Sequence, residues 1–264
     1  MEVKCGLCAI AKNEGPYIVE WVNYHLGLGF DHVTVYDNDS TDGGCSALSA
    51  YQNVTVVDWP NVAGQNAQNT AYEDYFVRYA PAFDWVMHLD IDEFLNLKDS
   101  SDIGSFLTGY PDAAGVAVNW RMFGSSGRKQ YEAGSVLRRF TRASPSSFPP
   151  NAHVKTAYRP RAVERPYQHS PVFKSGAVLV DTQHRVLPEY ANVYNHDIDL
   201  EKAQINHYFT KSYEEFLVKR ARGKADVAHE DDPNKYRQSS EFESYDINDE
   251  EDTTILRFLD LRRG

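Results

Sequence analysis

From Lys4 to Phe94 the sequence alternates short apolar runs with stretches of helical spacing, and that alternation limits the possible folds more than any other feature. Lys4 to Ala11 reads as a strand. The turn Lys12-Asn13-Glu14-Gly15 follows, and Pro16 suits a first helical turn, where a missing N–H costs nothing. Ile18, Trp21, Val22, Tyr24, His25 and Leu28 then fall largely at helical spacing, with Gly27 and Gly29 suited to the helix end. His32 to Tyr36 predicts a second strand, with a short helix through Tyr51 after it. Val54 to Trp59 predicts a third strand, Asn66 to Tyr79 a further helix, and Phe83 to Leu89 a fourth strand. Strands alternating with helices predict an α/β fold whose mostly parallel sheet is covered by helices on both faces. Right-handed crossovers align the carboxyl ends of such strands, and ligands bind there. Lys12, Asp37 and Asp90 all fall at those ends.

The fourth strand runs into Asp90-Ile91-Asp92-Glu93. Side chains alternate along a strand, so Asp90 and Asp92 are expected on one face with Ile91 turned into the core. Two neighbouring carboxylates repel unless a positive charge lies between them. Mg²⁺ or Mn²⁺ supplies it, because these ions favour oxygen ligands and share them with substrate phosphates. A dinucleotide fold is not indicated, since the first turn lacks G-x-G-x-x-G, and a P-loop is equally absent.

Beyond Phe94 the pattern predicts a short helix over Ile103 to Leu107 and strands over Gly115 to Trp120 and Val136 to Thr141. Ser144 to Pro150, rich in Ser and Pro, reads as a loop or mobile lid. Further strands are expected at Val154 to Tyr158 and Ala177 to Asp181. Ser212 and Glu215 form a capping box for a helix over Tyr213 to Ala221, and Ile255 to Leu261 reads as a terminal helix. The formal charge of −11 leaves no basic excess for nucleic acid as a general partner. It is unevenly spread: Asp226 to Asp252 is acidic, whereas Arg121 to Arg185 and Lys211 to Lys224 are rich in Lys and Arg. Cys5, Cys8 and Cys45 cannot form a disulfide framework, and Cys5 and Cys8 read as core residues of the first strand. No apolar run approaches the roughly 20 residues that span a bilayer, and no leader-like segment precedes the first strand. The expectation is a cytoplasmic protein, with peripheral contact at the inner face of the membrane compatible.

Several linked segments resemble one family. They are Cys8 to Glu14, Glu20 to His25, Val35 to Asp42, Trp85 to Phe94, Phe123 to Gly127, His153 to Lys155 with Arg159-Pro160, and Asn206 to Phe216. Together they resemble GT-A fold glycosyltransferases of the family 92-like group, which is related to family 2, over roughly residues 5 to 225. The resemblance implies a Rossmann-like GT-A domain over residues 1–225, with a nucleotide-binding half at 1–97 and an acceptor-side half at 98–225. An acidic C-terminal extension, 226–264, would follow. It implies a UDP-sugar donor, a glycan or lipid-linked acceptor, a Mn²⁺ or Mg²⁺ cofactor and an inverting reaction, with surface polysaccharide or lipopolysaccharide assembly as the family's usual bacterial role. Asp37 would contact the uracil or ribose, with Lys12, Asn13 and Glu14 shaping that pocket. Asp90 would lie near ribose and metal, Asp92 would ligate the metal, and His207 would complete its shell. Lys211, Arg220, Arg222 and Lys224 could embrace the diphosphate, where negative charge develops on the leaving group.

Inversion also needs a general base near the anomeric carbon. Asp181, His169 and Glu132 are the candidates by residue type, and Trp120, Arg121 and the loop Gly124 to Gly127 are expected on the sugar and acceptor side. Two other readings use the same residues. One is a sugar-phosphate nucleotidyltransferase, which usually has a Gly-rich basic turn after its first strand. The other is a nucleotide-sugar binding protein without turnover.

Overall fold

Strand β1 (Cys5–Ala11) is buried along its whole length, and its two faces pack against different helices. Cys5, Leu7, Ala9 and Ala11 share a core with Ile18, Trp21 and Val22 of helix α1 (Gly15–Gly27). Cys8 and Ile10 face the other way, into a core with Ala71, Tyr72 and Tyr75 of helix α2 (Ala67–Arg78). The period-2 alternation of a strand therefore places one helix on each side of the sheet. The computed structural model describes residues 3–188, 193–223, 227, 232 and 236–260.

The other strands of its sheet are β2 (His32–Asp37), β3 (Val54–Asp58), β4 (Trp85–His88), β5 (Glu93–Leu97), β6 (Gly115–Met122), β7 (Val154–Tyr158), β8 (Leu179–Asp181) and β9 (Ala203–His207). They form one sheet in the order β3-β2-β1-β4-β7-β6-β9-β5, with β8 also pairing β6. Pairings β1–β2, β1–β4, β2–β3, β6–β8 and β6–β9 are parallel. Strand β7 runs antiparallel to β4 and β6, and β5 antiparallel to β9. The expected α/β class and mostly parallel sheet are both present. Chain order turns back at β1, where β2 and β3 lie to one side and β4 to the other. The crevice beyond the carboxyl ends of β1 and β4 is thus the topological switch point at which such sheets bind ligands.

Three local expectations are corrected. Strand β4 ends at His88, so Asp90 and Asp92 do not lie on it; they belong to a turn closed by Glu93 N–H donating to the Asp90 carbonyl at 2.9 Å. Ile91 is nevertheless buried, as expected. Val136 to Thr141 is not a strand but opens with one turn of helix, Val136–Arg139. Capping decides this against the β-branched start: Ser135 Oγ accepts from Arg138 N–H at 3.2 Å, and the Glu20 carboxylate accepts from Val136 N–H at 2.7 Å. The segment Ser144 to Pro150 is a loop but a fastened one. Ser144 N–H donates to the Met122 carbonyl at 2.8 Å, and Asn151 Nδ2 donates to Ser144 Oγ and to the Pro145 carbonyl.

Helix α3 (Tyr213–Ala221) starts with the expected capping box between Ser212 and Glu215. Of the terminal helix, a 3₁₀ turn (Thr254–Leu256) and Arg257–Asp260 are formed, and Leu261 lies outside the described residues. The acidic segment contributes helix α4 (Ser239–Tyr245) and the two-residue strand Glu250–Glu251, antiparallel to Arg142–Ala143. Buried Asp252 accepts from Gln204 Nε2 at 2.9 Å and pairs with Arg121 at 3.3 Å, tying this segment to the sheet. Among the described residues no helix is long and apolar enough to cross a membrane.

Candidate active site

A cavity of about 320 Å³ opens at the switch point. Lys12 and Glu14 from the turn after β1 and Asp90 and Asp92 from the turn after β4 line it. Trp120 of β6, His153 and His169 from segments flanking β7, and His207 at the end of β9 line it too. Lys219 and Arg222 reach in from the C-terminal part of α3, and Glu241 and Tyr245 from α4.

The turns meet closely. A Cβ on Gly44 would lie 2.4 Å from Gly15 Cα, so the turns after β1 and β2 touch backbone to backbone at a position only glycine fits. Asn13, at φ +52°, reinforces that contact: its N–H donates to Ser40 Oγ at 3.0 Å, and its Oδ1 accepts from Thr41 N–H at 2.7 Å. Arg222 stitches α3 to the same place. Its Nη1 donates to the carbonyls of Lys12 and Asn13 at 2.9 and 3.1 Å, and its Nη2 pairs with the Glu14 carboxylate.

The acidic turn is held by two lysines. Lys155 of β7, fully buried, puts its Nζ 3.0 Å from Asp90 Oδ2, 3.2 Å from Glu93 Oε2 and 3.2 Å from the Gln168 carbonyl. Gln68 Nε2 donates to the other Asp90 oxygen at 2.9 Å. Burial raises the Asp90 carboxyl, but the Lys155 ammonium outweighs it and holds Asp90 below its ordinary value. Burial pushes Glu93 up to about 8, and its Oε1 has no partner among the described residues. Lys219 Nζ donates to Asp92 Oδ2 and, at 3.0 Å, to the Phe209 carbonyl, with its ammonium 4.2 Å from the Phe209 ring centroid. Burial would raise Asp92, yet Lys219 and His207 keep it well below the carboxylate range. Burial in turn brings the Lys219 ammonium down to about 7.

His207 Nε2 lies 3.6 Å from Asp92 Oδ2, and its buried Nδ1 has no partner among the described residues. Burial lowers its pKa, which favours the neutral, ligating form. The donor set of two carboxylates and a neutral imidazole fits Mn²⁺ or Mg²⁺ in kind. In arrangement, only Asp92 and His207 come together. Among the described residues no three His, Cys, Asp or Glu groups converge on a point that could hold an ion, and each carboxylate is paired with an ammonium group, Asp92 with Lys219 and Asp90 with Lys155.

Of the residues singled out from sequence, Lys12, Glu14, Asp90, Asp92, His169, His207 and Arg222 line this cavity. Asn13 and Lys211 line a smaller one of about 50 Å³ beside it, where the Lys211 ammonium sits 4.5 Å from the Tyr17 ring centroid. Asp37, at the end of β2, is not in the cavity wall; its Oδ1 accepts from Ser40 N–H at 3.1 Å and closes the β2 turn. Arg220 donates to the Arg237 carbonyl, and Lys224 lies outside the described residues. Two of the base candidates are not brought here. Asp181 is buried and engaged by Arg185, with its Oδ1 accepting from Gln183 and Arg185 N–H, and Glu132 forms a surface ion pair with Arg128. Trp120 lies in the wall as expected. Arg121 instead pairs with Glu250 and Asp252, and the Gly124 to Gly127 loop packs on Asp246 and Asn248.

Sequence reasoning missed Lys155, Lys219 and Gln68. A signal for Lys219 existed: Ser212, Glu215, Lys219 and Arg222 follow i, i+3, i+7, i+10 and share one helix face. Lys155 carried none, since a lysine in an apolar strand ordinarily reads as its solvent face.

The sequence model of glycosyltransferase family 92 matches residues 8–255, and the chain belongs to that family. A glycosyltransferase family 92 protein of Oryza sativa subsp. japonica is 29% identical over 142 residues, covering 51% of this chain and 24% of that protein. One from Ricinus communis is 28% identical over 143 residues, covering 51% and 25%. The match thus spans about a quarter of the length of these relatives. Among solved structures, glucosyl-3-phosphoglycerate synthase from Mycobacterium tuberculosis in complex with Mn²⁺, UDP and glucosyl-3-phosphoglycerate is similar at 15% identity and TM-score 0.35, over 61% of this chain and 58% of that one. HddC from Yersinia pseudotuberculosis is similar at 9% identity and TM-score 0.36, over 67% and 85%. The family assignment rests on the sequence match alone.

Proposed function

We propose that this chain transfers a sugar from a nucleotide donor, a UDP-sugar, to a glycan or lipid-linked acceptor with inversion at the anomeric carbon, using a divalent cation. The observation that carries the reading is the turn Asp90 to Glu93 at the β1/β4 switch point, lining a cavity that Lys12, Lys219, Arg222 and Trp120 also line. Asp92 and His207 would hold the cation, with Lys219 giving up Asp92 to it. Bound there, the ion would stabilise the charge that develops on the departing diphosphate. Lys12 and Arg222 line the same cavity and carry positive charge. Lys155 and Gln68 fix Asp90 from two directions, so its carboxylate is set before a ligand arrives.

The test is release of UDP from a panel of UDP-sugars, with and without Mn²⁺ and with candidate acceptors. Acceptor-stimulated UDP release that requires the metal supports the transferase. Release of pyrophosphate from a nucleoside triphosphate and a sugar phosphate would identify a nucleotidyltransferase instead, and binding without release a non-catalytic protein.

A further inference from the structure

His153 lines the same cavity as the acidic turn, on the segment that enters β7. Its Nδ1 lies 3.0 Å from the Pro150 carbonyl, an atom that can only accept, so Nδ1 carries the ring proton and Nε2 keeps its lone pair. Nε2 has no hydrogen-bond partner among the described residues. The ring is fixed in place: it stacks on Trp120 at 4.5 Å with planes 17° apart, Tyr194 packs against it at 4.6 Å, and the His153 carbonyl accepts from Trp120 N–H at 2.8 Å. An oriented neutral imidazole with a free lone pair, lining the same cavity as the acidic turn, is the kind of group that proton removal from an attacking hydroxyl requires.

We propose, resting on the transferase reading above, that His153 is the general base. The acceptor hydroxyl proton passes to Nε2 as the acceptor oxygen bonds to the anomeric carbon. The bond from that carbon to the phosphate oxygen breaks, and its electron pair leaves with the nucleoside diphosphate. The imidazolium then returns its proton to solvent. The groups facing the ring are Lys155, whose charge lowers its basicity, the Pro150 carbonyl, which raises it, and His169, 5.7 Å away and itself neutral. Burial is the largest influence and lowers the His153 pKa, so the base is ready at neutral pH. His169 has the same fixed tautomer, through Val154, but burial and Lys155 push it down to about 3, too weak a base for efficient transfer.

The experiment measures kcat against pH, and UDP affinity, for the wild type, His153→Gln, His153→Ala and His169→Gln, using the donor and acceptor that the wild type turns over. Loss of a general base is expected to lower kcat by about 10²–10⁴-fold. In His153→Gln the acidic limb of the profile disappears while UDP affinity stays within about twofold, and added imidazole restores part of the rate to His153→Ala. The wild-type limb lies below the ordinary histidine value of about 6.5. His169→Gln keeps the limb. A limb that survives in both His153 variants, or that vanishes only in His169→Gln, overturns the assignment, as does a product with retained configuration, which leaves the transferase reading intact. A wild type without transfer on any donor overturns both.

Discussion

Replacing Lys155 by Met keeps the length of the side chain and deletes its charge, leaving Asp90 and Glu93 side by side without their shared counter-ion. Lys155 and Glu93 are fully buried, so solvent cannot take over. Removing one member of a buried ion pair costs about 3–5 kcal/mol. For a chain of this size each kcal/mol lowers Tm by roughly 2–4 °C, so a fall of about 6–20 °C is expected. The loss depends on pH in a defined direction. Burial already raises Glu93 to about 8 in the folded state, so its contribution to stability is complete below its unfolded value near 4.5 and is lost as pH rises through about 8. Without Lys155 it rises further and takes up a proton sooner, which replaces part of the missing positive charge. The gap between wild type and variant should therefore be larger at about pH 8 than at about pH 5.5. Urea titrations followed by far-ultraviolet circular dichroism at both pH values measure it. A loss below about 1 kcal/mol, or one equal at the two pH values, refutes the reasoning.

Other substitutions probe separate parts of the structure. Ser212→Ala removes the cap of α3 and a partner of Glu215, and should cost about 1–2 kcal/mol in chemical denaturation. Gly44→Ala forces a Cβ onto the backbone of Gly15 and should cost about 1–3 kcal/mol while weakening UDP binding through the shifted turn, both read in one thermal-shift titration. Arg222→Ala unfastens α3 from the turn after β1; the expected result in steady-state kinetics is a KM for donor raised about tenfold or more. Glu132→Gln and Asp181→Asn, which alter side chains outside the cavity wall, should leave kcat within about twofold of wild type.

The sequence was most legible where one interaction dominated. The strand-helix alternation of the first half follows from period-2 and period-3.6 burial, and β1 shows why: each of its faces has a dedicated helix. The capping box of α3 was readable because it is local, three residues end to end. The strand expected at Val136 failed because its deciding partner, Glu20, is remote in sequence. The same limit governs the cavity. Asp90 and Asp92 announced themselves as a pair, but the lysines that hold them come from residues 155 and 219, brought in by β7 and α3. Asp181 and Glu132 looked like bases by residue type, and only the fold shows Arg185 and Arg128 occupying them. His153 was visible as part of a family-like segment, but its fixed tautomer depends on Pro150 and its placement on Trp120.

In the proposed function the carboxylate turn at the β1/β4 switch point binds a nucleoside diphosphate through a divalent cation. Calorimetric titration of UDP into the protein, with Mn²⁺ and then with EDTA, beside an Asp92→Ala variant, tests it most directly. The expected result is binding that requires the metal and is lost in Asp92→Ala. UDP binding of equal strength in EDTA and in the variant would contradict it.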